Sequence, residues 1–414
     1  MGRVDLRSTT RATPGLVVCE HELDVPLDHA VRDGETLTVF AREVAEPDGR
    51  DKPFLVFFQG GPGFEAGRPT RHPTSFGWLD RALEDFRVLL LDQRGTGRSS
   101  PVGTLPGLTP RQQADRLACF RADSIVRDAE ALREALGVDR WSVLGQSFGG
   151  MCVTAYLSQA PHGLREALIT GGVPVLGPRV DEVYAETWAL VLERTRRFYE
   201  RYPEDRERVL ALEREPVALP SGDRLTPARV RALGNALGMS DGAERLHFLL
   251  ELDPSSPAFA HDADAAALGL ARNPLYALVH EACWADGGRT RWSARRTMPA
   301  VYEEDPALLT GEHVLPELVD AYGALAPLRE AADLLAEREW PRLYDEEVLA
   351  ANEVPVAAAI YAHDMYVPRR LSEETARQVR GMRAWVTSEY EHNGLRADGG
   401  RILGRLLDLV RGRA

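Results

Sequence analysis

Gly145-Gln-Ser-Phe-Gly149 sets a serine between glycines two residues away on either side. The apolar run Trp141-Ser-Val-Leu144 precedes it, and a helical pattern containing Cys152, Tyr156 and Leu157 follows. A serine on such a strand-to-helix turn is held in a strained backbone conformation, and the small neighbours let adjacent backbone pass close. The helix N-terminus then aims free N–H groups and a positive dipole end at the reacting oxygen. This pattern suits nucleophilic attack by Ser147 on an acyl carbon. The plainer reading, an N-capping serine in a tight packing site, accounts for the turn but not for the whole strand–serine–helix order. Cys152 falls about a turn into the helix and is misplaced as a nucleophile.

A serine nucleophile needs a base and a group that orients it, and after a turn of this kind the acid precedes the histidine in the chain. Of the ten histidines, only His392 lies beyond the last strand-like run, in Tyr390-Glu-His-Asn-Gly394. The acid belongs after the preceding strand, where Ile360-Tyr-Ala-His-Asp364 offers Asp364. Glu391 is the competing acid, but its neighbour position suits it poorly to reach the far ring nitrogen. His363 is the competing base and stands before the acid. Met alone, His392 reads as a solvated loop histidine; the serine turn and Asp364 in sequence order reverse that default.

Gln59-Gly-Gly-Pro-Gly63 follows another apolar run and exposes backbone N–H groups. One of them, from Gly60 or Gly61, together with the N–H of Phe148, suits a developing oxyanion. The alternative is an ordinary Gly/Pro turn. Asp92-Gln-Arg-Gly-Thr-Gly-Arg-Ser99 lacks dinucleotide-binding spacing, so no organic cofactor is expected; Asp92 and Arg94 read as residues that pin loops beside the site.

These residues need a sheet to hold them. Short apolar, β-branched runs bounded by turn residues predict eight strands: 16–27, 36–44, 53–58, 87–91, 140–145, 166–170, 354–362 and 382–388. Helical patterns lie at 76–84, 124–136, 148–159 and 402–411. Continuous apolar stretches such as Phe54-Leu-Val-Phe-Phe58 belong to strands covered on both faces, which predicts a mostly parallel α/β sheet with helices on both faces. From about 181 to 353 the texture is helical and rich in Glu, Arg, Leu and Ala, before strands resume. One core domain (1–175 and 354–414) with an all-helical cap domain (176–353) inserted after the sixth strand is therefore expected, because the last two strands cannot stand alone. The run Glu193–Glu215 reads as a solvated helix face.

Composition narrows the chemistry further. The 414 residues carry 50 Lys+Arg against 63 Asp+Glu, a net charge of −13, which disfavours nucleic-acid binding. Lys52 is the sole lysine, which leaves little room for Schiff-base or Ser–Lys chemistry. The four cysteines form no C-x-x-C pair, so no metal site is expected. Met1–Arg11 shows no apolar secretory segment and no run reaches membrane-spanning length, so a cytoplasmic location without a membrane partner is expected.

The set Gln59-Gly-Gly-Pro-Gly63, Asp92-Gln-Arg-Gly-Thr-Gly-Arg-Ser99, Gly145-Gln-Ser-Phe-Gly149, Asp364 and His392 resembles the prolyl aminopeptidases (proline iminopeptidases) of the α/β-hydrolase superfamily, in the branch with a longer cap. It spans almost the whole chain, and Gly-Gly-Pro-Gly with Asp-Gln-Arg-Gly is more specific than the serine turn. Gln59 departs from the histidine found in many relatives, at a place where only backbone donors are needed. The resemblance implies a cis Gly61–Pro62 bond, a serine exopeptidase that releases N-terminal proline from peptides, and cap glutamates that hold the cationic amine. Glu281 and Glu312 are the candidates, with Trp284, Trp292 and Tyr276 as pocket walls; each also reads as an ordinary surface glutamate or core aromatic. A carboxylic-ester hydrolase and an inactive hydrolase-fold binding protein remain the rival functions. The sequence does not fix the oligomeric state.

Overall fold

A computed structural model describes residues 6–31, 33–71, 77–266 and 269–414. Strands β1 (Arg7–Thr13), β2 (Leu16–Pro26), β3 (Thr36–Ala45), β4 (Phe54–Phe58), β5 (Arg87–Asp92), β6 (Trp141–Gln146) and β7 (Leu164–Thr170) come first. A ribbon of β8 (Val217–Ala218) and β9 (Arg224–Leu225) follows, then β10 (Val356–Tyr361) and β11 (Met382–Thr387). The main sheet has nine strands in the order β1-β2-β3-β5-β4-β6-β7-β10-β11. Pairings from β1 to β5 are antiparallel, and those from β5 to β11 are parallel.

Period-two alternation divides the interior. Along β4, Val56 and Phe58 join a core with the helices Ala122–Ala135 and Phe148–Gln159, whereas Leu55 and Phe57 face Trp78, Ile402 and Leu406. Helices therefore cover both faces of the parallel region; its inner strands β4 and β10 are buried along their length, and only the edge strand β11 is largely exposed. The expected helix at 76–84 is observed as Leu79–Asp85; Phe76 lies outside the described residues. Among the described residues no helix is long and apolar enough to cross a membrane.

Two features depart from the sequence reading. The sheet has a ninth strand rather than eight: β1, Arg-Ser-Thr-Thr-Arg-Ala-Thr, is exposed along its length and held by its backbone ladder to β2. With no buried face it carries no hydrophobic alternation to detect. The stretch between β7 and β10 is helical from Val180–Arg201 through Glu346–Ala350, yet it contains the β8–β9 ribbon, so it is not wholly helical. Strands of two residues are too short to leave a periodic signal.

Register aligns the carboxyl ends of the central strands. Phe58 pairs with Gly145, Gln146 with Thr170, and Thr170 with Ala359. The loops that leave β4, β6, β7 and β10 consequently emerge side by side, at the edge where α/β sheets carry their ligand sites.

Candidate active site

Ser147 is the residue before the helix Phe148–Gln159 and has φ 54 and ψ −125, a positive φ rarely taken by a side chain larger than glycine. Its N–H donates to the Thr170 carbonyl at 3.0 Å, and the Ser147 carbonyl accepts the Gly150 N–H at 2.7 Å. Space around the turn is set by glycines. A Cβ at Gly149 would stand 1.9 Å from the Phe58 carbonyl oxygen, and one at Gly145 would stand 2.2 Å from that of Gly149. The strain at Ser147 is thus locked in by neighbouring backbone that no other residue type admits.

Asp364 and His392, 28 residues apart, meet in the interior. The Asp364 Oδ2 and His392 Nδ1 atoms are 2.6 Å apart, and both side chains are buried. The other oxygen of Asp364, Oδ1, accepts the N–H groups of Tyr366 at 2.8 Å and Val367 at 3.1 Å. Three donors around one carboxylate fix its plane, and with it the tilt of the imidazole. The Tyr366 ring stands edge-on to that imidazole, with centroids 4.8 Å apart and planes at 82°. Burial alone pushes the imidazole pKa down, but the charge and hydrogen bond of Asp364, helped by Glu312, outweigh it and leave His392 above its ordinary value.

The consecutive glycines after β7 lie one against the serine backbone and the other against the histidine ring. A Cβ on Gly172 would fall 2.1 Å from the Ser147 carbonyl oxygen, and one on Gly171 would fall 3.3 Å from His392 Nδ1. The two competing groups are placed elsewhere. Glu391 is ion-paired with Arg194, which also donates to the His363 carbonyl at 2.7 Å, and His363 itself is exposed.

Gly61, Pro62, Ser147, Phe148, Met151, His280, Cys283, Trp284, Glu312 and Val367 enclose one small cavity of about 10 Å³. Gly60 lies against the same corner, since a Cβ there would be 3.0 Å from that of Ser147. The Gly61–Pro62 bond is cis. The loop is tied down from below: Gln93 Nε2 donates to the Gln59 carbonyl at 2.9 Å. Arg94 is buried and donates to Asp128, to the Leu27 carbonyl at 2.6 Å and to the Cys119 carbonyl at 2.9 Å.

The glutamates and aromatics singled out in the sequence separate into distinct settings. Glu312 lines the cavity and accepts the Tyr276 hydroxyl at 2.7 Å. Burial raises its pKa, against the opposing pull of His392 and Tyr276. Glu281 faces away from that cavity. Its two oxygens accept the N–H groups of Ser293 at 3.0 Å and Ala294 at 2.8 Å, so it caps the short helix Ser293–Arg296. Burial pushes its carboxyl up to about 7. Trp284 lines the cavity; Trp292 does not, and donates its indole N–H to Asp333 at 2.8 Å.

Sequence reasoning missed His280, Cys283 and Met151 as wall residues. Helical spacing held the clue in the helix Pro274–Trp284: Tyr276, His280, Cys283 and Trp284 fall at i, i+4, i+7 and i+8, one face, and Glu281 falls off it. His280 is driven by burial to a pKa of about 4, and its Nδ1 has no partner among the described residues. Two clusters with metal-ligating atoms, Cys19–His21–Glu43 and Glu204–Asp205–His247, contain none of the residues around Ser147.

Comparison with known proteins adds to this geometry. A family model described as the alpha/beta hydrolase fold matches residues 53–217. The chain is similar to a proline iminopeptidase of Aeromonas sobria, with 46% identity over 95% of this chain and 96% of that protein. It is also similar to one from Aspergillus aculeatus, with 34% identity over 94% of this chain and 93% of that protein. A protein of Streptomyces coelicolor described as a probable proline iminopeptidase is 33% identical over 35% of this chain and 40% of its own length.

Proposed function

The chain belongs to the proline iminopeptidase family of α/β hydrolases, and from that premise we propose that it is a serine exopeptidase releasing N-terminal proline from peptides. Ser147 attacks the prolyl carbonyl, and His392 takes the serine proton and later gives it to the leaving amine. Asp364 keeps the proton of the imidazole on Nδ1 and stabilises the imidazolium that forms. The N–H groups of Gly61 and Phe148 hold the oxyanion, with Gly60 shaping the turn beside them. Water then hydrolyses the prolyl ester. Residues 176–353 act as a cap over this centre, and Glu312 from the cap holds the cationic secondary amine.

The observation that carries the reading is the half-buried carboxylate of Glu312 in the cavity of Ser147, with no ion-pair partner among the described residues. A neutral ester needs no such group, and a carboxylate drawn from water with only the Tyr276 hydroxyl as its partner lacks a counter-charge, so its place suits a cation that arrives with the substrate. Met151, Cys283, Trp284 and Val367 supply apolar wall that suits a pyrrolidine ring, and His280 is a further polar side chain on it. Because the cavity has room for little more than one water, the ring enters only as these side chains give way. The four cysteines are free thiols, in keeping with a cytoplasmic setting.

The test is a panel of aminoacyl arylamides with free and acetylated amines. Free-amine proline is cleaved and its acetylated form is not. Equal turnover of both, or preference for a neutral ester, makes the protein an esterase; no turnover by a folded sample makes it a binding protein.

A further inference from the structure

On the proline-releasing reading, the leaving nitrogen receives its proton from His392, so the departing part of the substrate must lie in space that His392 borders. His392 forms part of the wall of a second, larger cavity of about 820 Å³, a size that suits a short peptide. Gln59 and Gln146 lie on the same wall, and Arg68, Arg272 and Arg396 stand around it. Arg272 is spent on Glu65, with which it is ion-paired. Arg68 and Arg396 are exposed, and neither makes an ion pair among the described residues. Arg396 is on the short helix Gly394–Ala397, four residues beyond His392, and its charge reaches the imidazole. Two carboxylates share this wall: Glu65 is ion-paired with Arg272 and also lies in the field of Arg68, and Asp92 accepts the Arg98 N–H at 3.0 Å. In a chain of net charge −13, Arg396 therefore stands near the proton donor without a carboxylate partner among the described residues, a place suited to an anion, with Arg68 on the same wall.

We propose that Arg396 and Arg68 bind the C-terminal carboxylate of the leaving amino acid or short peptide, which makes the enzyme selective for prolyl di- and tripeptides with a free carboxyl end. In a dipeptide the carboxylate is bonded to the Cα next to the leaving nitrogen, so it stays beside His392 and within the province of Arg396. A further residue moves it outward by about 3.5 Å, toward a second cation. Glu312 and these arginines then read the two opposite charges of a short zwitterionic peptide from either side of the scissile bond.

The experiment compares kcat/KM for Pro-Gly and Pro-Gly-amide, which differ only in the terminal charge, with proline arylamide as the common reference. The wild type favours the free acid by about tenfold at low ionic strength, and the preference shrinks as salt is added. In Arg396→Gln the ratio falls toward one, Arg396→Lys restores part of it, and Arg68→Gln lowers it for Pro-Gly-Gly more than for Pro-Gly. A wild-type ratio near one, or a ratio unchanged in Arg396→Gln, overturns the carboxylate site while proline arylamide cleavage leaves the parent reading standing. Failure of the wild type to cleave proline arylamide overturns both.

Discussion

Asp364 turns one carboxylate oxygen to Nδ1 of His392, 2.6 Å away, and keeps the other under the N–H groups of Tyr366 and Val367. The backbone bonds settle which oxygen faces the ring. In Asp364→Asn the side-chain oxygen keeps the two backbone donors, and the amide NH2 faces Nδ1. The imidazole is then forced into the tautomer that carries its proton on Nε2, where it has no lone pair for the serine. The expected loss in kcat on proline arylamide is about 10⁴-fold, with a melting curve close to wild type. A loss below tenfold in a folded protein counts against Asp364 as the orienting group.

The pH dependence follows from the same pair. Neutral imidazole accepts the serine proton and imidazolium does not, so activity rises with pH through the pKa of His392. Asp364 and Glu312 hold that pKa above 6.5, hence the acid limb of kcat/KM bends above pH 6.5. Glu312→Gln removes one of the two charges and moves the bend to lower pH. A limb centred below pH 6.5 in the wild type contradicts the assignment.

The two glutamates should part company on substitution. Glu312→Gln takes the charge away from the substrate amine, lowering kcat/KM for free-amine proline arylamide by about 10²-fold or more. Glu281→Gln instead turns an N–H toward one of the backbone donors at Ser293 and Ala294, which costs about 1–3 kcal/mol of stability. Denaturant melts and kinetics on both variants check this. Selective loss of amine recognition in Glu281→Gln would reverse the two roles.

Crowding at the serine turn makes its own prediction. Gly149→Ala sets a methyl group 1.9 Å from the Phe58 carbonyl oxygen, and relief requires β4 or the helix to move. A loss of about 1–3 kcal/mol or more in stability is expected, together with loss of activity. Full activity and unchanged melting would show that the turn is looser than its contacts indicate.

Much of this was legible in the sequence because tight turns and buried strands leave strong marks. Gly145-Gln-Ser-Phe-Gly149 between an apolar run and a helical one marks a turn with φ 54 at Ser147, and chain order was enough to single out Asp364 and His392, which form a buried pair. Other features leave no mark. The strand Arg7–Thr13 buries no face, so its pairing rests on backbone hydrogen bonds and on exposed polar pairs such as Arg7–Asp24 and Arg11–Glu20, which leave no apolar alternation. Glu281 and Glu312 both stand beside unusual residues, and only the helical phase of His280 and Trp284 tells that Glu281 points elsewhere. The position of Arg396 relative to Arg68 is a tertiary fact, since two groups on one cavity wall stand 328 positions apart in the chain.

The central claim is that Ser147 is a nucleophile activated by His392 in a site that takes free-amine proline. Labelling with a fluorophosphonate probe, followed by peptide mapping, tests it most directly. A single adduct on Ser147 is expected, slowed by added proline and lost in His392→Ala. A folded wild-type sample that stays unlabelled, or carries the adduct on another residue, contradicts it.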